Sequence, residues 1–134
     1  MGELELEAPR GPDSMVGSDG IPLPGTPHPR LTGTFPRVLA EYSGSDGLGS
    51  LEEAVHRMSG ATASRFQIPR RGVIADGFAA DVVVFDPVSV RDGSTYDNPW
   101  GTPEGIHRVI LSGTPCVWSE EVVSSNAGRV LSRV

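Results

Sequence analysis

The sequence predicts an α/β segment followed by a β-rich segment. Three observations carry that expectation. A short apolar run, Ser14 to Ser18, leads straight into the turn Gly17-Ser18-Asp19-Gly20. Two stretches between residues 34 and 66 place apolar residues at helical spacing. After residue 67 the pattern changes to β-branched runs separated by turn signals.

Residues 1–12 alternate Leu4 and Leu6 with glutamates, as a short edge strand would, until Pro9-Arg10-Gly11-Pro12 ends the pattern; most of this stretch is expected to be disordered. Ser14 to Ser18 reads as a short strand. Ile21 to Leu31 contains four prolines and reads as an extended loop. Thr34 to Tyr42 predicts a helix, with Pro36 in its first turn and Phe35, Val38, Leu39 and Tyr42 on one face. Ser43-Gly44-Ser45-Asp46-Gly47 breaks it. Ser50 starts a second helix, Glu53 completes a capping box, and Leu51, Ala54, Val55 and Met58 form the expected buried stripe. Gly60 interrupts that helix, and Ala61 to Phe66 extends it. Asp81 to Phe85 predicts a core-like strand stopped by Pro87, and residues 91–105 an irregular loop. Ser112-Gly113, between His107–Leu111 and Pro115–Trp118, is a hairpin signal. A loop with a last short segment closes the chain from Ser124.

Composition narrows the function classes. The chain has 134 residues and a net charge of −6, which argues against a nucleic-acid footprint. All 11 basic residues are arginine. No apolar run is long enough to span a bilayer, and the acidic start lacks the features of a secretory signal, so a cytoplasmic location is expected. The single cysteine, Cys116, rules out an internal disulfide and reads as a small core residue. His28, His56 and His107 show no metal-ligand spacing and read as structural. Trp100 and Trp118 read as packing residues.

Asp19 is the first candidate for chemistry. Glycines on either side let the turn take angles that other residues avoid, so the carboxylate can be aimed into a cleft. The same residues also suit an Asx-turn, in which Asp19 bonds only nearby backbone N–H groups. Arg30, in the Pro-rich loop just before the helix, is the second candidate.

Ser18-Asp19-Gly20, His28-Pro29-Arg30 and Gly33-Thr34-Phe35-Pro36-Arg37-Val38-Leu39 resemble the final barrel segment of the N-acyl-D-amino-acid deacylases (D-aminoacylases), within the metal-dependent amidohydrolase superfamily. The resemblance continues through Leu51-Glu52-Glu53-Ala54-Val55, Arg71-Gly72-Val73-Ile74, Gly77 to Pro87 and Pro103-Glu104-Gly105-Ile106, and reaches the hairpin around Ser112-Gly113. It covers residue 14 to the end. It implies the C-terminal fragment of a (β/α)8 barrel followed by part of a small β-sandwich. Residues 1–13 are then an unmatched N-terminus, 14–66 the last barrel strand with its active-site loop and helices, and 67–134 the C-terminal share of the sandwich.

The resemblance also implies a chemistry. These enzymes hydrolyse the N-acyl amide of a D-amino acid with zinc. Asp19 matches the carboxylate that shuttles the proton and can also touch the metal, while the other metal ligands lie on strands absent from this chain. Arg30 matches the arginine that grips the substrate's free carboxylate through a two-bond fork. The expected partner is a small N-acyl-D-amino acid, with no nucleic acid and no membrane. The chain alone, lacking the N-terminal barrel, is expected to be inactive. Two alternatives stand beside this reading: another amidohydrolase such as a hydantoinase-like cyclic amidase, and a non-catalytic remnant or assembly module.

Overall fold

A computed structural model describes residues 11, 13–22, 24–43 and 47–131. The expectations for residues 1–10 and for Pro12 lie outside these, as does the end of the tail from residue 132.

The helical part is α1 (Arg30–Arg37), a π-helical turn (Val38–Tyr42), α2 (Leu51–Met58) and α3 (Gly60–Arg65). Helix α1 starts four residues before the expected Thr34. His28 and Pro29 are the reason: the His28 Nδ1 accepts the Arg30 N–H at 3.1 Å, and the carbonyls of His28 and Pro29 accept from Leu31 and Gly33 at 3.0 Å each. Pro36 therefore sits inside the helix rather than in its first turn. It has no N–H for the preceding turn, and the chain widens into π geometry two residues later.

Ser50 and Glu53 form the expected capping box. The Ser50 Oγ accepts from the Glu53 N–H at 3.2 Å, and the Ser50 N–H donates to Glu53 Oε2 at 2.8 Å. Val38, Leu48 and Ala54 make a small buried cluster, with Val16, Tyr42 and Met58 packed against it. Phe35 and Val55, expected in the buried stripes, are exposed.

The expected strand at Ser14–Ser18 does not form. A strand exists only through a ladder of hydrogen bonds, and among the described residues no neighbour pairs with this segment.

The β-rich part is one antiparallel sheet in the order β1-β2-β3-β4, comprising Val82–Phe85, Ile106–Leu111, Thr114–Trp118 and Glu121–Val122. Ser112 and Gly113 take φ of 49° and 84°, the two left-handed angles of a type I′ hairpin. The Asp81 carboxylate holds this turn by accepting the Ser112 N–H at 2.8 Å, and it pairs with Arg71. Val83, Val109, Val117 and Val122 align in one cross-strand row. Edge strand β1 leaves Val83 and Val84 exposed, contrary to the core placement expected for this run. Cys116 is buried as expected, whereas Trp100 is exposed and Trp118 is half-open with Arg108 stacked 4.2 Å from its ring centre.

The connection from β1 to β2 folds back on the helices. Arg91 and Glu104 form an isolated antiparallel bridge at its neck and an ion pair beside it. Beyond the neck, the Thr32 hydroxyl donates to the Pro99 carbonyl at 2.7 Å. The loop thereby docks on the first turns of α1, next to Arg30.

Candidate functional site

Asp19 and Arg30 meet. The Arg30 Nη2 lies 3.0 Å from Asp19 Oδ2, and its Nε donates to the Asp19 carbonyl at 3.1 Å. One guanidinium thus holds both the side chain and the backbone of the candidate carboxylate. The pair is open to solvent, with side-chain exposures of 45% for Arg30 and 80% for Asp19.

The turn works differently from the expectation based on its glycines. The left-handed angle falls on Asp19 itself, φ 47°, a conformation that Asp tolerates better than most residues. Gly20 is needed for space, because a Cβ there would press on the Leu31 backbone. The local bond of the turn is made by Ser18, whose Oγ accepts from the Gly20 N–H at 3.2 Å. The Asp19 carboxylate is turned to Arg30 instead.

The backbone of Arg30 is pinned on both sides. His28 takes its N–H, and the Thr34 hydroxyl donates to its carbonyl at 2.8 Å. Behind it lies a second ion pair. Arg37, one helix length further on, contacts Asp92 Oδ2 at 2.8 Å, and the Asp92 side chain is only 5% exposed. Asp92 Oδ1 accepts the Ser94 N–H at 2.7 Å. The Ser94 Oγ lies 2.7 Å from the same oxygen and 3.0 Å from the Pro29 carbonyl, so its single proton is offered between them. Gly33 makes this possible, since a Cβ there would collide with both Asp92 and Ser94. Close approach therefore outweighs the usual helix penalty of glycine.

A cleft of about 270 Å³ opens between α1 and the loop, lined among others by His28, Arg30, Arg37, Asp92, Ser94 and Tyr96. The Tyr96 hydroxyl reaches His28 Nε2 at 3.0 Å, and the two rings meet edge to face with centres 5.2 Å apart. A larger hollow of about 450 Å³ beside Arg70, Arg71 and Arg129 lies in a different part of the chain from Asp19 and Arg30.

Of the sequence candidates, Asp19 and Arg30 come together, and His28 joins them as a supporting residue. His56 and His107 do not: His56 is exposed on α2, and His107 pairs with Glu120 at 3.2 Å. Asp92, Ser94 and Tyr96 were hidden in a loop with no periodicity. The one local signal was the Asp-x-Ser spacing of an Asx-turn, which says nothing of the partner helix. Among the described residues no three His, Cys, Asp or Glu side chains converge to hold a metal ion, so these residues alone do not make a zinc site. Asp19 pairs with Arg30.

Comparison with known proteins identifies the family. A profile described as "Amidohydrolase family" matches residues 10–117. The D-aminoacylase of Alcaligenes xylosoxydans xylosoxydans is 50% identical over 121 residues, which cover 90% of this chain and 25% of that protein. A crystal structure of D-aminoacylase, described as defining a novel subset of amidohydrolases, superposes with a TM-score of 0.82 at 47% identity, covering 89% of this chain and 25% of that one. The N-acyl-D-glutamate deacylase of Bordetella bronchiseptica, solved with zinc and a phosphonate mimic of the tetrahedral intermediate, superposes with a TM-score of 0.74 at 47% identity, covering 78% of this chain and 22% of that one. The chain spans about a quarter of the length of the relatives it matches. It belongs to the amidohydrolase family and, within it, to the N-acyl-D-amino-acid deacylases.

Proposed function

We propose that this chain supplies the last barrel segment and the C-terminal β share of a hydrolase acting on N-acyl-D-amino acids. The observation that carries the reading is the double contact between Arg30 and Asp19. It supports the reading because it brings together a guanidinium able to fork a carboxylate and a carboxylate able to accept a proton. A substrate carboxylate takes the place of Asp19 on the Arg30 fork, as one carboxylate exchanges for another. The Asp19 carboxylate is then free to take the proton of the water that attacks the acyl carbon. When the carbon–nitrogen bond breaks, Asp19 returns that proton to the leaving amine, giving a carboxylic acid and a D-amino acid. In the family reading, residues of the rest of the barrel would hold a zinc ion, which would supply Lewis-acid chemistry to the attacking water.

The test is a chimera in which residues 14–131 replace the last quarter of the Alcaligenes D-aminoacylase. It should hydrolyse N-acyl-D-amino acids, whereas the 134-residue chain alone should not, with or without zinc. In the chimera, Asp19→Asn should lower kcat by roughly 10²–10⁴ with little change in substrate binding. Arg30→Ala should lower kcat/KM by about 2–4 kcal/mol and narrow the gap between free-acid substrates and their amides. A folded chimera without activity, or an Arg30→Ala variant that harms acids and amides equally, overturns the reading.

A second reading, a non-catalytic assembly module, draws on the exposed valines of edge strand β1. Self-association is expected of an isolated barrel fragment as well, so the chimera separates the two readings: deacylation by the chimera removes the assembly module.

A further inference from the structure

We propose that Tyr96, on the β1–β2 loop, is a positioning residue for Arg30, acting through His28. This inference rests on the reading of Arg30 as the carboxylate fork. Its physical basis is a chain of hydrogen bonds across three segments. The His28 Nδ1 faces the Arg30 N–H at 3.1 Å, so it must be an acceptor and carry no proton. The neutral ring then bears its proton on Nε2, which lies 3.0 Å from the Tyr96 hydroxyl and donates to it. The two rings also meet edge to face, at 74°, but it is the bond from Nε2 to the hydroxyl that sets the plane of the imidazole. His28 and Tyr96 are both exposed, so burial does not set that plane.

The consequence lies in the first residue of α1. Pro29, at the cap position, makes no side-chain cap, and the imidazole of His28 fills that role from one residue earlier. With its N–H held by His28 and its carbonyl held by Thr34, Arg30 starts its side chain from a fixed backbone and reaches Asp19 with Nε and Nη2. Loss of the Tyr96 hydroxyl frees the imidazole to rotate, and the Nδ1 lone pair leaves the Arg30 N–H. Asp92 and Ser94 hold the same loop to Pro29 and Arg37 independently of Tyr96. The loop therefore stays docked when the tyrosine hydroxyl is gone, and the two contributions can be separated.

The experiment compares the 134-residue chain with its Tyr96→Phe variant by hydrogen exchange and by NMR of the arginine Nε–H and histidine side-chain resonances. The expected result is that Arg30 N–H and Nε–H exchange about three- to tenfold faster, as the loss of one ordinary hydrogen bond produces, and that the His28 Nε2–H signal is lost. The Ser94 amide, bonded to Asp92, should keep its protection. In a His28→Asn background, where the amide oxygen can still accept from Arg30 but does not reach Tyr96, Tyr96→Phe should have no further effect. Unchanged Arg30 exchange overturns the proposal. Arg30 and Ser94 accelerating together also overturns it, because that is general loosening of the loop.

The chimera adds a kinetic arm. Tyr96→Phe should raise KM for free-acid substrates about threefold or more while kcat stays within about twofold, and it should leave amide substrates unchanged. An equal loss on acids and amides overturns the proposal. A chimera that is inactive without any substitution counts against the deacylase reading alone, and the exchange experiment on the isolated chain still decides the role of Tyr96.

Discussion

Helix α1 carries an arginine at each end, and the two meet carboxylates in opposite settings. Arg30 pairs with Asp19, whose side chain is 80% exposed, and Arg37 pairs with Asp92, whose side chain is 5% exposed. Asp19 is held by Arg30 among the described residues and is otherwise open to solvent. Asp92 is bonded by Arg37 and by the amide of Ser94, with the Ser94 hydroxyl against it and Gly33 making room. An exposed ion pair contributes little to stability and exchanges easily, whereas a buried carboxylate must keep all its partners. One helix thus joins a replaceable contact at its first residue to a fixed contact at its last. That division suits a site in which Arg30 must release Asp19 for a ligand while the helix itself stays in place.

The comparison breaks most visibly at its buried end. Asp92→Ala should cost about 2–3 kcal/mol, from the loss of charge-assisted bonds to Arg37 and Ser94, and urea denaturation of the isolated chain measures it. Gly33→Ala tests the same contact from the helix side. Helix propensity alone would make it stabilising, but the collision with Asp92 and Ser94 should make it destabilising by about 1–2 kcal/mol. At the exposed end, Asp19→Ala should change the stability of the isolated chain by less than about 0.5 kcal/mol, with the remaining effect weakened further by salt. A large loss there would erase the contrast between the two ends.

Asp86 sharpens the comparison as a third kind of carboxylate. It is half-buried, where Asp19 is exposed, and it is bonded locally, accepting the Val88 N–H at 2.9 Å and the Ser89 hydroxyl at 2.7 Å. The Val88 amide first, and then Ser89, hold its carboxyl below the usual range. A lowered value in the folded state means that its contribution is full above the ordinary Asp range and is lost as the pH falls through the lowered value. Acid titration of stability should therefore show a small loss below the ordinary Asp range that Asp86→Asn lacks. This is the smallest effect of the series.

The features legible in the sequence were those whose chemistry is local. The Ser50–Glu53 capping box, the Ser112-Gly113 hairpin and the run from Val82 to Phe85 each depend on residues a few positions apart, and each formed as expected. Asp19 and Arg30 were singled out by a motif series rather than by periodicity, and their pairing with each other was not expected. What was not legible depended on distant partners. Ser14 to Ser18 has strand composition but no neighbour to pair with among the described residues. Gly33 stood in the sequence only as part of a motif, outside the expected helix, and its need for space shows only with Asp92 and Ser94 beside it. Residues 91–105 read as irregular, and they are; their order comes from docking on α1, through contacts such as Thr32 to Pro99 that no spacing rule reaches.

The docked loop also imposes an order on synthesis. The bonds from Ser94 to Pro29 and from Thr32 to Pro99 join residues 65 and 67 positions apart in the chain. Helix α1 leaves the ribosome several seconds before the residues that clamp it, at about 5–20 residues per second. Throughout that interval His28 lacks Tyr96, Arg37 lacks Asp92, and Gly33 is only a weak point in a short helix. The geometry around Arg30 is thus completed late, by the segment between β1 and β2, and a translational pause or truncation before residue 92 would release a helix whose two arginines have not yet been set in place.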